Sequence, residues 1–127
     1  MEIILTKEEK EQIFFAVLCN IEGAHYFELY GLRLQTDPKL YNKFKETQDS
    51  HEDVILKILK NGGALKCIDL EEHAKESYTC EITLNDIYER FNLIPTENLL
   101  NMINQTDDIT DSDIILQTLF YKQLIFS

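Results

Sequence analysis

Several signals are missing from these 127 residues, and each absence removes a class of function. No apolar run reaches the roughly 18 to 20 residues that a bilayer crossing needs. No basic segment followed by an apolar run and a small-residue cleavage site opens the chain, so neither a membrane anchor nor a secretory leader is expected. Basic residues are scarce: 12 lysines and arginines stand against 23 aspartates and glutamates, for a net charge of −11. Nucleic acid is therefore not an expected partner, because phosphate binding needs a basic footprint. With only four glycines there is no glycine-rich phosphate loop. The three cysteines, Cys19, Cys67 and Cys80, are odd in number and widely separated, with no close-paired zinc or redox spacing. They read as free thiols in a reducing cytoplasm.

What is present is the material of one globular domain. A hydrophobic share of 44% with 28% charged residues is too apolar for a disordered chain. The length suffices to bury a core without disulfides or a structural metal. The surplus of acid is compatible with cation binding, with a basic protein partner, or with solubility alone.

Hydrophobic periodicity predicts an all-α domain over 1–127: a long helical hairpin over about 7–61, a crossover over about 64–82, and shorter helices over 83–127. Thr6-Lys7-Glu8-Glu9 forms a capping box, and the helix it starts is expected to run to about Leu34. Phe14, Leu18, Ile21, Leu29 and Leu32 share one face, but Phe15, Cys19, Tyr26, Phe27 and Tyr30 make the other side apolar too. Such a helix belongs in a core or at a subunit interface, which suggests a homodimer. Asp37-Pro38 restarts the chain as N-cap and first helical residue. A stripe of Leu40, Tyr41, Phe44, Ile55, Ile58 and Leu59 continues to Asn61, and Gly62-Gly63 ends it. Beyond that, Leu65 to Ile68 reads as a short extended run and Glu71 to Lys75 as a helical turn. Helices are expected around Leu84 to Phe91, after Pro95-Thr96, and from an N-cap at Thr110 through Leu124.

Polar groups interrupt these stripes. His25 falls near the centre of the first inward face, with Glu28 beside it and Glu22 on its shoulder; Gln48 and His51 sit inside the second. Burying them is costly unless they are hydrogen-bonded, charge-paired or metal-bound. Glu22-Gly23-Ala24-His25 has the Glu-x-x-His spacing, and Gln48-Asp49-Ser50-His51 repeats it with glutamine. Residues three apart are helix neighbours, so a carboxylate and an imidazole can share one ion, and that donor set suits iron, manganese or zinc. The competing reading is two hydrogen-bonded core histidines. Ser50 and His51, as helix neighbours, do not make a nucleophile–base pair. Glu71-Glu72-His73 is expected to face water. Asp107, Asp108, Asp111 and Asp113 lack the glycine and terminal glutamate of an EF-hand loop and read as a solvated helix start.

Glu22-Gly23-Ala24-His25-Tyr26-Phe27-Glu28-Leu29-Tyr30 resembles the first helix of ferritins and rubrerythrins, in which several tyrosines follow a mid-helix glutamate. The segment from Gln48 to Gly63 is similar to their second helix, and Asp113 to Gln123 to the start of their fourth. The resemblance implies a ferritin-like bundle in which Glu22 is the first-helix ligand and His51 the second-helix histidine. Gln48 stands where the bridging glutamate belongs. Glu89 and Glu97 are the candidates for the third-helix glutamate, and Lys122 occupies the position of a ligand or proton-shuttle glutamate. An incomplete site follows, with His25, Gln48 and Glu28 as further donors and iron or manganese as its metal. Its chemistry would be iron binding or oxidation, with tyrosines in electron transfer. The alternatives are a non-enzymatic acidic interaction or regulatory protein that holds no metal, and a small-ligand sensor with a pocket between the helices.

Overall fold

A computed structural model describes residues 3–71 and 77–127. The first helix, α1 (Lys7–Gly23), opens on the expected capping box: the Thr6 amide donates to Glu9 Oε1 at 2.9 Å, and the Glu9 amide to Thr6 Oγ1 at 3.1 Å. It stops eleven residues short of the expected end. The Tyr26 amide donates back to the Ile21 carbonyl at 3.0 Å and the His25 amide to the Glu22 carbonyl at 3.2 Å. These two bonds make a Schellman cap with His25 in the left-handed conformation, φ 50°. A 3₁₀ turn (Phe27–Tyr30) follows, closed by Gly31 at φ 75°.

The chain then becomes a strand. β1 (Leu32–Gln35) pairs antiparallel with β2 (Ala64–Asp69), Leu32 opposite Asp69 and Gln35 opposite Lys66. On its other side β2 pairs with β3 (Cys80–Thr83), so that β2 is central in the order β1-β2-β3. Leu32, Leu65, Cys67 and Ile82 turn into the core, while Arg33, Gln35, Lys66 and Glu81 face solvent. That period-2 alternation is the mark of a sheet packed on one face.

The second expected helix is also divided. α2 (Pro38–Phe44) starts as foreseen, with the Lys39 amide donating to Asp37 Oδ1 at 2.8 Å. It ends at Phe44, and a turn through Asp49 separates it from α3 (His51–Lys60). α3 has its own capping box: the Asp53 amide donates to Ser50 Oγ at 3.1 Å and the Ser50 amide to Asp53 Oδ2 at 2.9 Å. The glycine pair ends it as predicted, with Gly62 at φ 89° and the Gly63 amide donating to the Ile58 carbonyl at 2.9 Å.

The expected all-α, ferritin-like bundle is therefore not formed: six α-helices accompany a three-stranded antiparallel sheet among the described residues. The hairpin over about 7–61 and the crossover over about 64–82 give way to strands because Gly31 and the Gly62-Gly63 pair break the helical register, and the alternating segments beside them pair with one another. α1 and α3 still lie antiparallel, with Lys60 Nζ 3.8 Å from Glu11 Oε2 near one end. Glu71 to Lys75, expected as a helical turn, falls largely outside the described residues.

The last third matches its reading more closely. α4 (Leu84–Arg90) and α5 (Thr96–Ile103) sit where they were predicted. α6 (Ile109–Tyr121) is capped by Asp108 rather than Thr110. It is the central helix, buried from Asp111 to Phe120 except for a half-buried Ile114, and α1 packs against it more than against any other element. Its polar groups are paired. Asn20 Nδ2 donates to Ser112 Oγ at 3.0 Å, and Tyr30 Oη to Asp113 Oδ2 at 2.7 Å. Gln117 donates to Asp113 Oδ1 and accepts from the amides of Ile125 and Phe126. Among the described residues no helix is long and apolar enough to cross a membrane.

Candidate functional site

Where α1 ends, three elements meet: the Schellman turn, β1, and the first residue of α3. Between them lies a cleft of about 170 Å³, lined by Glu22, His25, Glu28, Arg33 and His51 above a floor that includes Phe27 and Leu32. Four of the five side chains picked out as metal donors thus share one wall-and-floor arrangement. The fifth does not. Gln48 is exposed in the turn before α3, which exists because the Glu46 amide donates to Asp49 Oδ2 at 2.9 Å and the Asp49 amide to the Glu46 carbonyl at 3.0 Å.

The donors reach the cleft by a route other than mid-helix neighbours. Glu22 is on the last turn of α1, His25 on the left-handed cap, Glu28 in the 3₁₀ turn and His51 at the start of α3. All but Glu22 are exposed rather than set into a core stripe. His25 Nδ1 lies 3.4 Å from Glu28 Oε1, a contact too open to solvent to hold either group firmly. His51 Nδ1 is 3.0 Å from Tyr41 Oη, which orients the imidazole and leaves its Nε2 available.

Glu22 is the unusual member. It is half-buried, and among the described residues its carboxylate has neither a hydrogen bond nor an ion pair. Burial pushes its carboxyl above the ordinary glutamate value; Glu52 and Glu28 push the same way, while His51 and His25 oppose them. On the same flank, burial raises the Cys19 thiol, helped by the charges of Glu52 and Asp53.

Among the described residues no three His, Cys, Asp or Glu side chains are arranged to hold a metal ion together. The donor types suit a transition metal, but the donor atoms do not converge. Within the acidic run at 107–113, expected as a solvated helix start, Asp111 and Asp113 are buried and two carboxylates have structural work. Asp108 caps α6, and Asp111 Oδ1 accepts from Asn98 Nδ2 at 2.8 Å and Asn101 Nδ2 at 3.1 Å. Glu72 and His73 lie outside the described residues. Glu89 and Glu97, candidates for a third-helix ligand, are exposed on α4 and α5 and do not line this cleft.

Two members of the site escaped the sequence reading. Arg33 was hidden by the assumption that a helix ran to Leu34, although Leu32-Arg33-Leu34-Gln35 after Gly31 alternates as a strand does. Tyr41 was placed on an apolar stripe, with nothing to signal its bond to His51. A second, larger hollow of about 470 Å³ lies on the solvent face of the sheet, bordered by Gln35, Asp37, Leu40, Lys66, Ile68 and Glu81. It is charged with both signs and holds none of the candidate metal donors. No protein-family model, curated protein or solved structure matches this chain.

Proposed function

We propose that this chain is a non-enzymatic interaction protein whose acidic surface engages a basic protein segment, with the Glu22 cleft receiving one lysine or arginine side chain. The observation that carries the reading is the partnerless, half-buried carboxylate of Glu22. A carboxylate removed from water without a partner costs free energy that an incoming cation recovers. Glu28 and Glu52 supply further negative charge around it, and the net charge of −11 steers a basic partner toward the surface. We place this interaction in a reducing cytoplasm, in keeping with three free thiols. A homodimer through α1 would use Phe15 and Cys19, which are half-buried, because Phe14, Val17, Leu18 and Ile21 are consumed by the chain's own core.

The test is a calorimetric titration with a short lysine- and arginine-rich peptide at two salt concentrations. Binding should weaken about tenfold in Glu22→Gln, corresponding to about 1.4 kcal/mol, and should weaken with salt in both proteins. Equal affinity in the variant and the wild type would reject the cleft as the anchor.

A second reading rests on the gathering of Glu22, His25, Glu28 and His51 in one cleft. Iron or manganese would be held there after rotation of the exposed His25 and Glu28 side chains, with Glu22 and His51 as principal donors. Elemental analysis of untagged protein and anaerobic ferrous titration distinguish the two. Near-stoichiometric metal that is lost in both Glu22→Ala and His51→Ala favours the metal. Its absence on titration rejects it.

A further inference from the structure

Cys67 and Cys80 lie thirteen positions apart in the sequence and directly opposite each other in the sheet. They are Cα partners in the antiparallel β2–β3 register, so their side chains leave the same face. Directly opposed residues in such a pair have Cα atoms about 4.5 to 5.5 Å apart, which falls inside the range of about 4.4 to 6.8 Å that a disulfide spans. Both are free thiols here. From this juxtaposition we propose that Cys67 and Cys80 form a reversible redox pair, a modification site at which a small-molecule disulfide converts the two thiols into a cross-strand bond.

The two sulfurs are not equivalent, and this sets the order of events. Cys67 is wholly buried, while Cys80 is half-buried and therefore the one a reagent meets first. The Cys80 thiolate attacks one sulfur of the small disulfide, whose S–S bond breaks and releases one small thiol. The Cys67 thiolate then attacks Cys80 Sγ in the mixed disulfide, forming the cross-strand bond and expelling the second small thiol. The two protein thiols give up two electrons and two protons, and the small disulfide takes both to leave as two thiols.

The surroundings accommodate the oxidised state. Cys67 Sγ lies 3.4 Å from Tyr121 Oη, and that hydroxyl also donates to the Tyr78 carbonyl at 2.9 Å, so losing the thiol contact leaves no buried group without a partner. Cys80 Sγ gives up only a long contact of 3.7 Å to the Phe120 carbonyl. Burial pushes the Cys67 thiol up to about 12 and raises Cys80 as well, with the Arg90 guanidinium opposing the rise at Cys80. Oxidation is consequently slow near neutrality and accelerates as pH rises, since the thiolate is the nucleophile. The bond closes residues 68–79 into a ring and clamps β3 to β2.

The experiment is incubation of the folded wild-type protein with oxidised glutathione from about pH 7 to about pH 9, followed by intact mass and non-reducing peptide mapping. The expected product is a monomer that has lost two hydrogen atoms, with the Cys67 and Cys80 peptides joined and Cys19 outside the bond. Its rate should rise about tenfold per pH unit, and a dithiol should restore the starting mass. Its thermal midpoint should exceed that of the reduced protein. A bond joining Cys19 to either partner, or a persistent glutathione adduct on Cys80 in folded protein, would overturn the proposal. In Cys80→Ser the Cys67 thiol should remain unmodified while the protein is folded; rapid modification there would equally contradict the assigned order.

Discussion

The side chain of Gln117 is wholly buried and makes four hydrogen bonds, three of them to the last residues of the chain. Its Nε2 donates to Asp113 Oδ1 and to the Phe126 carbonyl, each at 2.9 Å; its Oε1 accepts from the amides of Ile125 at 2.9 Å and Phe126 at 2.8 Å. Those bonds hold Phe126 against Tyr30, with ring centroids 5.1 Å apart, and against Tyr78 at 5.3 Å. Gln117→Leu keeps the volume and deletes all four bonds. Were the tail to stay in place, three backbone groups would lose their partner at about 1 to 3 kcal/mol each. Release of the tail to water is less costly, so the variant should detach it. The loss is then about 3 kcal/mol, combining the net value of four hydrogen bonds at about 1 kcal/mol each, the partial exposure of Phe126, and an offset from burying leucine. Urea unfolding followed by circular dichroism measures it, the absence of tryptophan leaving tyrosine as the only intrinsic fluorophore of use. The same substitution in a protein lacking residues 123–127 should cost much less, because the partners are already gone. A loss below about 1 kcal/mol, or an equal loss in the shortened protein, would refute the reasoning.

Three smaller perturbations probe other steps of the account. Ser50→Ala should destabilise by about 1 kcal/mol, because Ser50 caps α3; a continuous helix over 38–61 would instead gain from alanine, so the sign of the change in a urea midpoint separates the two. His25→Gly should stabilise by about 1 kcal/mol by relieving a left-handed residue at φ 50°, while an unchanged or lowered melting temperature would argue against the Schellman cap. For Glu22 the folded carboxyl value is raised, so the folded protein holds the proton more tightly than the unfolded chain. Its favourable contribution is complete below the unfolded value and is lost as pH rises through the folded one. Glu22→Gln should therefore be more stable than wild type at neutral pH and should flatten the decline of stability over that window; a variant less stable at neutral pH would reverse the assigned direction.

Local chemistry was legible wherever one short segment decides the outcome. The Thr6–Glu9 capping box, the Asp37-Pro38 start and the Gly62-Gly63 stop all depend on neighbours within a few residues, and all are present. The failures lie where two segments compete or cooperate. Leu29 and Leu32 continue the apolar period of α1, and nothing local shows that Leu32 pairs across the sheet opposite Asp69. Strand pairing is a non-local contact, and periodicity over four residues does not distinguish a short strand from the end of a helix. The Ser50-His51-Glu52-Asp53 box is also local, but Asp53 in place of the usual glutamate, and apolar residues of one stripe on both sides of it, concealed the start of α3. Glu22, His25, Glu28 and His51 do line one cleft, but not for the reason that drew attention to them in the sequence. In the sequence they interrupt apolar stripes, whereas in the fold three of them are exposed and meet at the junction of a helix cap, a strand and a second helix start. Gln48 followed the same logic and lies outside it because the Glu46–Asp49 turn carries it away.

The central claim is that a cationic segment docks at the Glu22 cleft, and the most direct measurement is backbone amide mapping by nuclear magnetic resonance during titration with a lysine- and arginine-rich peptide. The account predicts saturable shifts concentrated at Glu22, His25, Glu28, Arg33 and His51, which fade in Glu22→Gln. Shifts scattered over the acidic surface, unchanged by that substitution, would contradict it.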